Sequence, residues 1–179
     1  MERLPEHLKQ RFYRTITGEI SIEEFEHWLY ADKELENYMN FDDHLDLISL
    51  NFRKSGAKYE LWNLLKKHID LGEFETHKIL RLLYEAKEKG EELPLILMEF
   101  YDLYYKGYSF LKDLGLGIGL AIECPPLNNF SADSWDELPG KQQQKLLEIL
   151  SPELEIGVER VIDWLESKKI ILTGEQDES

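Results

Sequence analysis

The run Gly115-Leu116-Gly117-Ile118-Gly119 most invites a chemical interpretation, because closely spaced glycines can cradle the phosphates of a nucleotide. A dinucleotide-binding fingerprint needs another glycine three positions after a close pair, and Leu120 and Ile122 occupy those positions. A phosphate loop needs a Lys-Ser or Lys-Thr pair, and none follows. We therefore predict that these glycines allow close helix packing or a bend, and we expect no cofactor.

Metal-binding patterns are also missing from the sequence. The five histidines are His7, His27, His44, His68 and His77. No two of them are separated by the three or four positions that place two ligands on one helical face. The acids at 42, 43 and 46 lack the glycine and terminal glutamate of a calcium loop, and their positions are typical of a first helical turn. We expect no metal site.

A nucleophile for catalysis is equally hard to find. Cys124 is the only thiol, two prolines follow it directly, and no histidine lies near it in the sequence. A small apolar residue at a helix end is the simpler interpretation of this cysteine. The serines show no G-x-S-x-G elbow. We predict no catalytic residues and expect that the protein is not an enzyme.

The charge of the chain is more informative. It has 179 residues, with 21 basic and 36 acidic side chains and a formal net charge of −15. Such a surplus repels phosphate and anionic lipid, so nucleic acid and membrane surfaces are poor partners. A basic protein is the partner that this field would attract and steer.

The surplus is concentrated in the second half, where residues 91–179 carry 7 basic and 18 acidic side chains. Two groups stand out, which we call the acidic ridge and the Trp135 turn. The ridge is Glu155, Glu159, Asp163 and Glu166, spaced along one face of the last helix, and the turn is Asp133, Trp135, Asp136 and Glu137. Both fit a solvated face that keeps the protein soluble, and both fit a contact for a basic partner. These eight are the candidate partner-binding residues.

Sequence features relevant to location favour the cytoplasm. A single cysteine agrees with a reducing compartment. The first residues lack the apolar core of a signal peptide. No apolar run approaches the ~20 residues of a membrane span.

The sequence pattern predicts that helices position these residues throughout the chain. In the first half, Gly18 ends one helix and the Ser21–Glu24 capping box opens the next. Two further helices are predicted to end at Gly72 and at Gly90. The predicted inward residues of the four helices are, in order, Leu8, Phe12 and Ile16; Phe25, Trp28 and Leu29; Leu61, Leu64, Leu65 and Ile69; and Ile79, Leu82, Leu83 and Ala86. Residues 41–52 fit either a strand or a helix, and the helical neighbours favour a helix.

In the second half, residues 95–105 are apolar around most of a helical circumference, which predicts a buried central helix. Residues 127–140 read as a loop, and residues 141–150 as a helix. Ser151-Pro152 is predicted to cap and open a separate last helix. Residues 170–172 are expected to pair or pack as a short extended tail. The predicted fold is an all-α, single-domain bundle of seven or eight helices over residues 1–173, with a frayed tail at 174–179.

Two stretches of the chain carry a recognisable pattern. The first is Gly18-Glu-Ile-Ser-Ile-Glu-Glu-Phe-Glu-His-Trp-Leu-Tyr30, continuing to Leu35-Glu36 and Leu45-Asp-Leu-Ile-Ser-Leu-Asn51, and the second is Trp164-Leu-Glu-Ser-Lys-Lys-Ile-Ile-Leu-Thr-Gly174. This pattern resembles small acidic immunity proteins of Gram-positive polymorphic-toxin systems. Residues 18–51 and 164–174 together span about a quarter of the chain. Phe25, Trp28 and Leu29 carry the match, and their spacing places them in the core.

The resemblance implies a stoichiometric inhibitor that binds the C-terminal domain of a cognate toxin, with no chemistry of its own. Many toxins of such systems are basic nucleases, which agrees with the acidic charge of this chain. The family's binding residues are not shared between members, so none can be assigned here. The alternative expectation is a helical adaptor or regulatory module that binds another basic protein.

Overall fold

The computed structural model describes residues 4–174, and it is all-α over that range, as predicted. The α-helices in these residues are α1 (Glu6–Ile16), α2 (Ile22–Ala31), α3 (Phe41–Ile48), α4 (Ala57–Leu65), α5 (Leu71–Glu88), α6 (Leu93–Tyr105), α7 (Leu120–Glu123) and α8 (Gly140–Glu166). Short 3₁₀ turns cover Leu35–Asn37, Ser109–Leu111 and Trp135–Glu137, and a π-helix covers Asp113–Gly119.

Tertiary contacts divide the chain into two compact units, Met1–His77 and Lys78–Ser179, and the division falls within α5. Each unit has its own cluster of buried apolar side chains. The sequence shows no low-complexity linker at this division. The boundaries of one domain over residues 1–173 stay a prediction. The tail predicted at 174–179 lies outside the described residues from residue 175 onward.

Local hydrogen bonds set the helix starts of the first unit. The capping box is formed: Glu24 N donates to Ser21 Oγ, and Ser21 N donates to the Glu24 carboxylate, each over 3.1 Å. Asn40 caps α3 by accepting from Asp43 N over 2.8 Å. Gly18 follows α1 with φ +84°, a left-handed conformation that glycine adopts without steric cost.

Two boundaries in this unit differ from the prediction. Residues 41–52 contain a helix, but it ends at Ile48. The helix predicted to stop at Gly72 ends at Leu65, and Gly72 lies in the first turn of α5. Asp70 causes this, because its carboxylate accepts from Glu73 N over 2.9 Å and so caps a new helix.

Trp28 lies at the margin of the first unit's core. Phe25 and Leu29 are buried, as predicted, whereas Trp28 is only half-buried against them. Its ring centroid lies 5.3 Å from that of Phe25. The guanidinium carbon of Arg11 lies over the Trp28 ring, 5.3 Å from its centroid.

Helix α6 is the centre of the second unit, as predicted for residues 95–105, but the predicted burial is wrong for one of its faces. It packs against the π-helix, the 109–111 turn and α7. Its inward residues are Leu93, Ile96, Leu97, Phe100 and Leu103. Its remaining face, with Leu95 and Tyr105, is exposed to solvent.

The glycine run forms the π-helix and packs tightly against α6, which confirms the packing interpretation. A Cβ atom on Gly119 would lie 2.3 Å from the carbonyl oxygen of Leu97. One on Gly115 would lie 2.8 Å from Cβ of Tyr104 and 2.9 Å from the carbonyl oxygen of Phe100. Only residues without a side chain allow the two backbones to approach this closely.

The predicted break at Ser151-Pro152 is wrong, because α8 runs unbroken from Gly140 to Glu166 with Pro152 inside it. An interior proline removes one helical hydrogen bond and costs ~3 kcal/mol. The buried stripe that offsets this cost continues on both sides of the proline: Leu146, Leu150, Leu154, Val158, Val161 and Leu165. After α8, Leu172 packs into the same core, as expected for the tail.

Candidate partner-binding surface

The acidic ridge is exposed on α8, but intramolecular partners occupy its carboxylates. Glu155 forms an ion pair with Lys89, and Glu159 Oε1 lies 3.3 Å from Lys87 Nζ. Asp163 Oδ2 lies 2.6 Å from Lys169 Nζ. The fourth member, Glu166, accepts a hydrogen bond from the Tyr84 hydroxyl.

These contacts change the electrostatic character of the ridge. The hydrogen bond from Lys89 holds the pKa of Glu155 below its ordinary value, and the charge of Lys89 adds to this effect. Three of the four acids face a lysine, so the ridge presents a mixed surface instead of a purely negative one. Exposed pairs contribute little to stability, ~0–1 kcal/mol in general, yet they cancel most of the local field.

The Trp135 turn keeps its charge. Asp133, Asp136 and Glu137 are exposed, and within residues 4–174 none of them forms an ion pair or a side-chain hydrogen bond. Trp135 is half-buried against the core of the second unit. Its carbonyl accepts from Gln143 Nε2 over 2.9 Å, which ties the turn to α8.

The structure does not join the ridge and the Trp135 turn into one patch. The turn ends just before α8 begins at Gly140, and the first ridge residue, Glu155, comes 15 positions later. At 1.5 Å per residue, this places Glu155 about 22 Å further along the helix. They are therefore two separate candidate surfaces on the same unit.

Sequence reasoning missed the residues that neutralise the ridge. Lys87 and Lys89 lie at the C-terminal end of α5, where basic residues are favoured by the helix dipole. That position is visible in the sequence, but their pairing with a helix 66 to 72 positions away is not. Only tertiary packing brings the two charges together.

A groove beside α8 was also missed. It has a volume of about 530 Å³ and runs between the π-helix and α8. Leu116, Gly117 and Ile156 form its apolar part, and Ile156 is 59% exposed. At one edge Arg160 Nη1 donates to Asp113 Oδ2 over 2.9 Å. The exposed apolar residues of α8, Ile149 and Ile156, are seven positions apart, a spacing that could have revealed this face.

The first unit contains an apolar cleft of about 420 Å³. Ile16, Ile22, Leu61 and Trp62 line it, and Tyr59 stands at its edge with 70% of its surface exposed. Its lining offers few polar groups, so it suits apolar contact better than chemistry.

No family model, curated protein or solved structure matches this chain. The likeness to immunity proteins therefore rests on the sequence segments alone.

Titratable groups converge at one place in the first unit, around Lys9. Its ammonium lies 3.0 Å from Glu6 and 2.7 Å from Glu73. Burial raises the pKa of the neighbouring Tyr13 to about 12, so this phenol stays protonated at neutral pH. A lysine held between two carboxylates is a structural tie, because both acids keep it charged and unable to act as a base.

The described residues contain no group of three or more histidine, cysteine or carboxylate side chains placed to hold a metal ion. Over the same part of the chain, no helix is long and apolar enough to cross a membrane. Cys124 lies at the C-terminal end of α7, as predicted, and it is exposed.

Proposed function

We propose that this protein is an immunity protein that binds and neutralises a basic toxin domain of bacterial origin in a stoichiometric complex. It acts in the cytoplasm of the producing cell and has no catalytic activity of its own. The observation that carries the proposal is the set of exposed acids in the Trp135 turn, which no cation among residues 4–174 neutralises. The net charge of −15 and the resemblance of the two sequence stretches support it.

Electrostatics explains how such a protein would work. A toxin must be captured faster than it damages the cell, and complementary charge raises association rates well above the neutral value. Tryptophan anchors and apolar contacts then slow dissociation. Trp135, half-buried and flanked by three exposed acids, combines both features in one turn.

The test begins with the gene beside this one. If a long open reading frame there ends in a compact basic domain, that domain is expressed alone and with the protein in a bacterial host. We expect growth arrest by the domain alone, rescue by co-expression, and one 1:1 peak in size-exclusion chromatography. A triple variant, Asp133→Asn, Asp136→Asn and Glu137→Gln, should rescue growth less well. In binding assays the same variant should bind the domain more weakly than wild type, and the difference should shrink as salt is added.

Three outcomes separate the possibilities. Rescue with complex formation supports the immunity function. A complex without rescue favours the alternative, an adaptor for a basic protein. Absence of such a reading frame, or absence of any complex with its domain, overturns the proposal.

A further inference from the structure

The outward face of α6 carries two exposed apolar residues with two acids between them. Leu95, Glu99, Asp102 and Tyr105 follow one another at i, i+4, i+7 and i+10, so they share one side of the helix. Leu95 is 63% exposed and Tyr105 is 69% exposed. At 1.5 Å per residue, these two residues lie about 15 Å apart along the helix. We call these four residues the α6 face.

The acids of the α6 face differ from those of the ridge. Within the described part of the chain, neither Glu99 nor Asp102 has an ion pair or a side-chain hydrogen bond. Glu91 and Glu92, just before α6, are exposed as well and add to the negative field. Lys106, at the end of the helix, is the one basic residue in residues 91–106. The face therefore keeps a field that a cationic surface would neutralise.

Tyr105 is held in place although it is exposed. Its ring meets that of Tyr101 edge-on with centroids 4.8 Å apart, and that of Tyr104 at 6.0 Å. The nearby hydroxyl of Tyr105 raises the pKa of Tyr101 to about 12, so the Tyr101 hydroxyl stays protonated. An aromatic ring that is already ordered loses little entropy on binding, which makes it a good interface anchor.

The backbone that carries the face is equally constrained. Gly115 and Gly119 bring the π-helix against the opposite side of α6, in contact with Leu97 and Phe100. Leu95 and Tyr105 are exposed at the two ends of this face, with the exposed acids Glu99 and Asp102 between them. Apolar anchors beside unpaired charges, on a backbone that does not need to reorganise, are features of a protein-binding surface.

We propose that the α6 face is a docking surface for a basic protein surface, with Leu95 and Tyr105 as apolar anchors and Glu99 and Asp102 as partners for its lysine or arginine side chains. This rests on the proposed function and adds a contact that the sequence did not indicate. The matching surface has two cations between two apolar contacts about 15 Å apart. Nucleic acid and anionic lipid are excluded as occupants by the charge of the face.

The experiment compares two pairs of substitutions that change net charge equally. One variant is Glu99→Gln, Asp102→Asn on the α6 face, and the matched control is Glu155→Gln, Glu159→Gln on the ridge. Binding of the toxin domain encoded beside this gene is followed by surface plasmon resonance at low and high salt. Circular dichroism confirms that every variant keeps its helices.

We expect the α6 variant to associate at least fivefold more slowly than wild type at low salt, with the difference fading at high salt. The ridge variant should change the rate by less than twofold, because the ridge lies outside the proposed contact. Leu95→Ala and Tyr105→Ala should each raise the dissociation rate at least tenfold, which corresponds to ~1.4 kcal/mol of binding energy.

Equal slowing in both pairs would show that net charge alone matters, and the inference would be wrong while the proposed function stands. Unchanged kinetics in all α6 variants would show that the contact lies elsewhere. The inference would again be wrong while the proposed function stands. Absence of binding by the wild-type protein would overturn the proposed function itself.

Discussion

Two glycines of one run, Gly117 and Gly119, should respond to alanine with opposite signs. A Cβ on Gly119 would lie 2.3 Å from the Leu97 carbonyl oxygen and 2.9 Å from Cβ of Tyr101. A Cβ on Gly117 would meet no heavy atom within 4 Å. Neither glycine has a positive φ, so alanine fits both backbones and only the available space differs.

The magnitudes follow from packing and helix propensity. Overpacking costs ~1–3 kcal/mol, and the upper end applies at Gly119 because a backbone oxygen cannot rotate away. Alanine is better than glycine in a helix by ~1 kcal/mol, which offsets part of that cost. We expect Gly119→Ala to lower the free energy of unfolding by about 2 kcal/mol and Gly117→Ala to raise it by about 0.5–1 kcal/mol.

Urea denaturation followed by circular dichroism measures both free energies of unfolding. The m-value shows whether each variant exposes as much surface on unfolding as the wild type. Gly115→Ala, with contacts of 2.8 and 2.9 Å, should behave like Gly119→Ala. The packing argument fails if Gly119→Ala is as stable as wild type, or if Gly117→Ala is the more damaging substitution.

Two further predictions concern the first unit. Trp28→Ala should destabilise the protein by about 2 kcal/mol, below the ~3–5 kcal/mol of a fully buried tryptophan, because Trp28 is half-buried. In thermal melts, a negligible loss of stability, or one as large as for a fully buried tryptophan, would contradict this. The matched substitution Arg11→Met should remove only the cation–π contribution, ~0.5–1 kcal/mol. Burial holds the pKa of His68 below its usual 6.5, although the charge of Asp43 acts in the opposite direction. As the pH drops below 6.5, the imidazole therefore becomes protonated in the unfolded chain before it does so in the folded protein, and the stability of the protein falls. His68→Asn should therefore lose less stability than wild type between pH about 7.5 and about 5.5, and parallel melting curves for the two proteins would refute this assignment.

The sequence by itself determined the features that depend on neighbours along the chain. The capping box at Ser21 and Glu24 needs only residues three positions apart, and it is formed as predicted. The apolar content of residues 95–105 exceeds what a surface helix could carry, so this segment had to form the centre of a core. The failure of the glycine run to fit a phosphate-binding pattern was likewise a matter of spacing, and the run packs against α6 instead.

Tertiary structure decided the features that depend on residues far apart in the sequence. Pro152 stays inside α8 because leucines on both sides of it enter the same core, and no local rule includes that burial. The ridge is four acids on one helical face in the sequence, but Lys87 and Lys89, at and just after the end of α5, pair with two of them. Glu99 and Asp102 look unremarkable in the sequence, yet no cation within residues 4–174 pairs with them. Charge is read directly from residue types, whereas the field that remains after pairing depends on which side chains the fold brings within ~4 Å of each other.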